Sequence, residues 1–485
     1  MDKFEGGYAS IEELRQSLVE FKKSNKFILA YAEEYSTKAY YLASVADSVF
    51  LHPQGAVDFK GLFTQLAFFK GTLDKLEIEP EIIRHGKFKS AIEPFIYDKM
   101  SPENKEQIAT FVNAIWNTML TQIAQGRNIT TQQLELIADS LLAENAQKAL
   151  DLKLVDKLLY KDEFDNVLAE KSGISETSKL KFITLGKYNE TAEPKTGKPF
   201  AKDKIAVIYA TGEIVSGKGQ ADEVGSETLA KAIKNATEDA NVKAIVLRVN
   251  SPGGSALASD VIWRETKLAK AKKPFIVSMG NVAASGGYYI SCLADTIVAQ
   301  HNTITGSIGV FGLLLNAQKM FNNKLGLTFD TYKTGPYADL GLPTRPLTSM
   351  ERVKMQNSVE QVYDVFTKHV AEGRNISQAN VDSIGQGRVW SGVDAMGIRL
   401  IDVYGGLNDA IAIAARAAKI DNYRIKELPE QKDALREILD DMKGETEMAL
   451  MPQAVKQAAN VYRFMQNKNP KDKIQARLPF GLEVE

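Results

Sequence analysis

Only one of the 485 residues is a cysteine, Cys292, so an internal disulfide framework and a cysteine-ligated zinc site are both excluded. Histidine is nearly as scarce. The nearest two of the four, His52 and His85, are 33 residues apart and His301 and His369 are farther, which rules out a local HExxH-type metal site. An excess of one charge is also lacking. The 60 Lys and Arg against 61 Asp and Glu leave a formal net charge of -1, so no basic surface advertises nucleic acid. No run approaches the ~18 apolar residues that span a membrane, and Met1-Asp2-Lys3-Phe4-Glu5-Gly6-Gly7 has no signal-peptide pattern. What the chain does have is 44% apolar and 25% charged residues, which excludes wholesale disorder. Its length gives a prior of about three domains at ~150 residues each.

An internal repeat organises the sequence. Gly126-Arg127-Asn128-Ile129-Thr130 recurs 247 residues later as Gly373-Arg374-Asn375-Ile376-Ser377. Tyr40-Tyr41-Leu42-Ala43-Ser44-Val45-Ala46-Asp47 recurs as Tyr288-Tyr289-Ile290-Ser291-Cys292-Leu293-Ala294-Asp295 at an offset of 248. Ala149-Leu150-Asp151-Leu152-Lys153-Leu154-Val155-Asp156 recurs as Ala395-Met396-Gly397-Ile398-Arg399-Leu400-Ile401-Asp402 at 246. Three blocks at nearly one offset mean two tandem copies of one domain. Residues 186–204, rich in Lys, Glu, Thr, Pro and Gly, read as a linker between copy one (1–185) and copy two (205–485). Apolar runs at 205–209, 244–249, 275–279 and 296–299 predict buried strands, and residues 257–271 and 350–372 predict helices. That alternation predicts an α/β fold with a parallel sheet. Gly6-Gly7 aligns with Gly253-Gly254, so copy one is expected to lack roughly 45 residues holding its first two strands and to leave a sheet edge exposed. Residues 453–465 predict a further packing helix.

Two strand ends carry candidate chemistry. Residues 244–249 run into Asn250-Ser251-Pro252-Gly253-Gly254-Ser255, where glycines let backbone N–H groups face a cleft. Such donors suit an oxyanion. Phosphate binding at a helix N-terminus is the rival, though neither a GK[ST] nor a GxGxxG frame is present. Residues 275–279 lead to Gly280-Asn281-Val282-Ala283-Ala284-Ser285-Gly286-Gly287-Tyr288-Tyr289, a small-residue turn that suits a nucleophilic serine. An ordinary helix N-cap is the plain alternative. No histidine has an obvious claim as base, whereas a buried lysine of lowered pKa can serve. The repeat narrows the choice. Ser285 falls opposite Thr37, where the elbow is gone, while Lys89 in His85-Gly86-Lys87-Phe88-Lys89 falls opposite Ala338. Each copy keeps one half of a reactive pair, the pattern of one composite site between them.

With these motifs in hand, the chain resembles the signal peptide peptidase A (protease IV) family of crotonase-like serine peptidases, in its long tandem-repeat form. The residues that carry the resemblance are Gly86-Lys87-Phe88-Lys89-Ser90-Ala91-Ile92-Glu93-Pro94-Phe95, Asn250-Ser251-Pro252-Gly253-Gly254-Ser255, Ala283-Ala284-Ser285-Gly286-Gly287-Tyr288-Tyr289 and Thr305-Gly306-Ser307-Ile308-Gly309-Val310. The resemblance implies two tandem crotonase-like (ClpP-type) α/β domains, the N-terminal one without its first strands. It implies Ser285 as nucleophile, Lys89 as general base in preference to Lys87, Ser307 as hydrogen-bond partner of the lysine, and Gly254 and Gly286 as oxyanion donors. It implies no metal and no organic cofactor, cleaved signal peptides and other short apolar peptides as substrates, and a homotetramer. The family works on the outer face of the bacterial inner membrane, held by an anchor that this sequence lacks. Two other readings stay open at this point: an acyl-CoA hydratase or isomerase of the same fold, and a non-catalytic scaffold. Cys292, in the helix behind Ser285, is expected to be a buried apolar residue without a role.

Overall fold

A computed structural model describes residues 6–191, 200–429 and 474–478 of the protein. The expected helix at 453–465 lies outside the described residues. Copy one contains the strands β1 (Leu29–Tyr35), β2 (Ser48–Val57), β3 (Glu79–His85) and β4 (Lys157–Leu158). Copy two contains β5 (Lys204–Thr211), β6 (Glu213–Val215), β7 (Glu223–Gly225), β8 (Val242–Ser251), β9 (Gly253–Ser255), β10 (Phe275–Ala284), β11 (Thr296–Ala299), β12 (Ile304–Gly306), β13 (Val310–Asn316), β14 (Val389–Ser391), β15 (Val403–Tyr404), β16 (Arg424–Leu428) and β17 (Ile474–Arg477).

The central sheet of copy two runs β14-β12-β10-β8-β5-β16, with β11 and β15 attached through β10. Its inner pairs β5–β8, β8–β10 and β10–β12 are parallel, as helix-linked strands require. These strands are almost continuously apolar because helices cover both faces. Val242, Ala244, Ile245, Val246, Leu247 and Val249 of β8 are all buried. Copy one repeats part of this plan in a parallel sheet, β1-β2-β4. Among the described residues it has counterparts of β10 and β11–β12 but none of β5 and β8. The edge strand β1 carries the exposed Glu33 and Glu34, charges that discourage pairing with another chain.

The repeated blocks have a shared structural reason. In each copy a long helix, Pro102–Arg127 or Ser349–Arg374, ends on an asparagine in the left-handed region, Asn128 at φ 54° and Asn375 at φ 50°. The glycine two residues earlier lets that helix press onto a carbonyl of the helix that follows the serine-turn strand. A Cβ on Gly126 would stand 2.2 Å from Ser44 O, and one on Gly373 would stand 2.1 Å from Cys292 O. The intervening arginine pairs with the aspartate that closes the third block, Arg127 with Asp156 and Arg374 with Asp402. Tyr40 and Tyr288 each donate to a backbone carbonyl of that block, Leu154 and Leu400. The segment read as a linker begins with a helix, Leu185–Thr191, followed by residues outside the described ones.

The two copies share surfaces rather than hanging from a tether. β3 of copy one pairs antiparallel with β13 of copy two along its whole length, from Val310↔His85 to Asn316↔Glu79. Together with β17, β9, β6 and β7 they form a second, six-stranded sheet. The copy-one core also takes in Ala284, Ile304 and Val389 from copy two. Helix Tyr8–Lys22 also lies against copy two. Its Glu12, 3% exposed, sits 2.6 Å from His301 Nδ1 and accepts from Asn302 N at 3.0 Å and Gln122 Nε2 at 3.2 Å. Glu13 beside it pairs with Arg248 at 2.7 Å.

Glu12→Ala would leave the buried Asn302 N–H without its acceptor and take away the partner of His301. The expected loss is about 2 kcal/mol of stability, read as a lower urea midpoint, against no shift for Ser17→Ala on the exposed face of the same helix.

Candidate active site

Strand β10 ends at Ala284, and Ser285 turns the chain into the helix Gly286–Ser291 with φ 55° and ψ -115°. A non-glycine residue in that region stores strain of about 1–3 kcal/mol. The turn survives because its neighbours are small. A Cβ on Gly286 would stand 2.6 Å from Ser259 Oγ, and one on Gly287 would stand 2.6 Å from Ser251 O. The Ser285 N–H is fixed by Gly306 O at 2.8 Å. Copy one relaxes this turn. There the helix Thr37–Ala43 is capped by Ser36 at φ -66°, ψ 161°, so the repeat offset pairs Ser285 with Thr37 while the cap position is held by Ser36. One extra residue before the shared tyrosine pair removes the need for a positive φ.

Lys89 arrives from copy one, on the loop after β3. Its Nζ lies 2.8 Å from Ser285 Oγ, 3.1 Å from Ser307 Oγ and 3.3 Å from Ser307 O. Lys89 is 1% exposed and Ser285 0%. Burial disfavours the ammonium and pushes its pKa well below the ordinary lysine value. Lys89 makes no salt bridge with a carboxylate among the described residues, so nothing restores the charge. Lys87 is exposed and stacks on Phe88 instead, its Nζ 4.9 Å from the ring centre. None of the histidines reaches the serine: His85 meets Glu360, His301 meets Glu12, His369 meets Asp260, and His52 lies against Tyr160.

The loop Gly385-Gln386-Gly387-Arg388 holds the lysine in place, and the sequence reading missed it. Gly387 has φ 84°, and a Cβ there would stand 2.7 Å from the Lys89 backbone. Gly86, at φ 92°, is pressed just as closely on Gln386, 2.4 Å from its carbonyl oxygen. Phe88 N donates to Gln386 O, Gly387 N to Ile308 O, and Ser307 N to Arg388 O. Buried Gln107 ties the same elements from copy one, donating to Phe88 O and Ser90 Oγ while accepting from Val389 N. The Gly-x-Gly spacing was the available signal for the loop. Gln107 had none, because a glutamine in a long helix reads as surface.

Gly253 and Gly254 lie on β9 beside the turn. The Gly253 N–H donates to Ser251 Oγ at 3.2 Å, and a Cβ on Gly253 would stand 2.7 Å from Gly286 N, so only glycine leaves that amide accessible. Gly254 is opposite Ala476 of β17 on one side and Ile214 of β6 on the other. Cys292 is fully buried, with its thiol pushed up to about 12 by burial, and it donates to Tyr289 O. It touches no reacting group. No cluster of metal-ligating side chains occurs among the described residues, and no helix there is long and apolar enough to cross a membrane.

A buried lysine amine whose charged form is disfavoured, set against a strained serine hydroxyl with backbone N–H groups alongside, can deprotonate the hydroxyl for attack on a carbonyl. Comparison with known proteins points the same way. Protease 4 of Salmonella typhi is 38% identical over 455 residues, covering 92% of this chain and 72% of that protein. Protease 4 of Haemophilus influenzae is 36% identical over 420 residues, covering 85% and 68%. The chloroplastic serine protease SPPA of Arabidopsis thaliana is 35% identical over 425 residues, covering 87% of this chain and 62% of its own length. Among solved structures, ClpP1 from Listeria monocytogenes aligns with 42% of this chain and 94% of its own at 16% identity and a TM-score of 0.27. The model of peptidase family S49 matches residues 20–175 and again 267–421, one segment in each copy, and the chain belongs to that family.

Proposed function

We propose that this serine peptidase works through a Ser285–Lys89 dyad assembled between residues 1–185 and 205–485 of one chain. The 2.8 Å contact between the lysine amine and the serine hydroxyl, both buried and with no carboxylate paired to the lysine among the described residues, carries the reading. Lys89 takes the hydroxyl proton as Ser285 Oγ attacks the peptide carbonyl carbon. Ser307 Oγ orients the amine, which then returns the proton to the leaving nitrogen. The Gly286 N–H and a donor from the Gly253–Gly254 pair stabilise the oxyanion. Gly254 is favoured because the Gly253 N–H is already engaged by Ser251. A water activated by the same lysine releases the acyl-enzyme. No metal or organic cofactor has a part in these steps.

The substrates proposed are cleaved signal peptides and other short apolar peptides. A ring of four chains at the outer face of the bacterial inner membrane would limit entry to unfolded segments. The names of the relatives support the peptidase activity, and the resemblance of the motifs supports the rest. An enoyl-CoA hydratase reading has no use for a buried lysine against a serine. A scaffold reading gives no reason to keep the strained φ at Ser285.

Ser285→Ala is expected to lower peptide hydrolysis on the order of 10⁴-fold or more with an unchanged far-UV circular dichroism spectrum. A fluorophosphonate probe is expected to label the parent chain and not the variant. Wild-type activity in Ser285→Ala would sink the assignment.

Lys89 acts only when neutral, and burial lowers its pKa. Activity is therefore expected to rise with pH through that lowered pKa and to level off well below pH ~10.4, the value for a free lysine. Lys89→Ala should abolish the rise while Lys87→Ala keeps it; the reverse result would move the base by two residues.

A further inference from the structure

The loop that seats Lys89 is itself held by a side chain that takes no part in the bond-making steps. Gln386, at the centre of the loop, has φ 52°, a left-handed conformation that persists in a residue with a side chain only when its surroundings impose it. Its carbonyl oxygen accepts from Phe88 N at 3.1 Å and lies against Gly86, so the pose of Gln386 fixes the chain just before Lys89. Its N–H donates to the Tyr363 hydroxyl at 3.1 Å, and that hydroxyl donates to Asp382 Oδ1 at 2.7 Å. Gly385 leaves room for the approach. A Cβ there would stand 3.2 Å from the Tyr363 oxygen and 2.7 Å from Val381 O.

Tyr363 reaches this place from the inner face of helix Ser349–Arg374, where Val359, Phe366 and Val370 are also buried. Its ring stacks on His85, the last residue of β3, with 3.7 Å between ring centres and 22° between planes. One side chain thus touches both supports of the lysine, the strand that delivers it and the loop that receives it. Tyr363 is 5% exposed, and burial, followed by the hydrogen bond to the Asp382 carboxylate, pushes its phenol above the ordinary pKa. The hydroxyl therefore stays protonated while Lys89 titrates.

We propose that Tyr363 is a positioning residue for the reaction: its hydroxyl pins Gln386, and through Gln386 it keeps the Lys89 amine against Ser285 and away from water. The inference rests on the peptidase reading above and adds what holds the base in place. Without the hydroxyl, the Gln386 N–H loses its acceptor and the strained loop relaxes. Water then reaches the amine and favours the ammonium. Neighbouring charges do not produce that change. His85 meets Glu360, Arg388 pairs with Glu106, Glu93 is held by Ser101 and Asn104, and Arg477 pairs with Glu213. All of these, and Asp382, stay when only the Tyr363 oxygen is removed.

The test is Tyr363→Phe in the full chain, which keeps the ring and its stack on His85. Hydrolysis of a short apolar peptide ester and fluorophosphonate labelling of Ser285 are followed from neutral to alkaline pH, with the melting temperature alongside. The midpoint of the rise in kcat/KM is expected to move up by about one pH unit, so that activity below it falls about tenfold while the alkaline plateau is kept. Labelling should follow the same displaced profile. A tyrosine that only stabilised the fold would lower the melting temperature or the whole profile and leave the midpoint in place. An unmoved or lowered midpoint in folded Tyr363→Phe overturns the proposal. Should that variant not fold, Asp382→Ala decides, because Asp382 is half-exposed. Loss of a nearby carboxylate by itself lowers an amine's pKa, so a raised midpoint there reports the loosened loop and supports the proposal, and an unchanged or lowered one overturns it. A parent protein that neither hydrolyses the ester nor takes up the probe would defeat the peptidase reading and this inference with it.

Discussion

The structure turns on one contact, a buried lysine amine that has no carboxylate partner among the described residues and lies 2.8 Å from a serine hydroxyl. Burial disfavours an ammonium in that place and holds the lysine well below its ordinary pKa. Keeping it there demands closeness that side chains cannot provide. The copies therefore meet backbone to backbone, Gly387 on Lys89 and Gly86 on Gln386, each glycine in the left-handed region and each too crowded for a Cβ. The β3–β13 ladder sets the height of the loop, and the Ser307 and Arg388 backbones complete the clasp. Larger residues at Gly86 or Gly387 would push the copies apart and open the dyad to water, which would restore the charge.

Duplication explains how such a site arises. Both copies retain the scaffold that docks the long helix, with the same glycine contact, the same arginine–aspartate pair and the same buried tyrosine. They differ where the strand meets the helix. Copy two keeps the strained turn at Ser285, and copy one inserts a residue and settles into an ordinary cap at Ser36. At this turn the positive φ is present in the copy that carries Ser285 and absent from the other.

Much of this was legible in the sequence because it rests on local pattern. The apolar runs at 205–209, 244–249, 275–279 and 296–299 fall on the strands Lys204–Thr211, Val242–Ser251, Phe275–Ala284 and Thr296–Ala299, and the helices expected at 257–271 and 350–372 fall on Ala256–Lys270 and Ser349–Arg374. Comparing the copies with each other was enough to bring forward Ser285 and Lys89, which the structure places together. What escaped depends on partners distant in the chain. The β3–β13 ladder joins strands more than two hundred residues apart and has no short-range signature. The loop at Gly385–Arg388 looks like any turn until Lys89 is seen against it. β17 is only four residues long, and nothing in Ile474-Gln475-Ala476-Arg477 announces that it pairs on both edges. The repeat arithmetic was also one residue adrift at the turn, since block matching averages over the insertion that the cap reveals.

The division of the dyad between copies has a consequence for synthesis. A chain made from its N-terminus presents Lys89 first, on a half that has no hydroxyl to activate. Ser285 follows long afterwards, and the loop that seats the lysine comes about another hundred residues later. The lysine and the serine can thus be seated against each other only once residues 385–388 have been made.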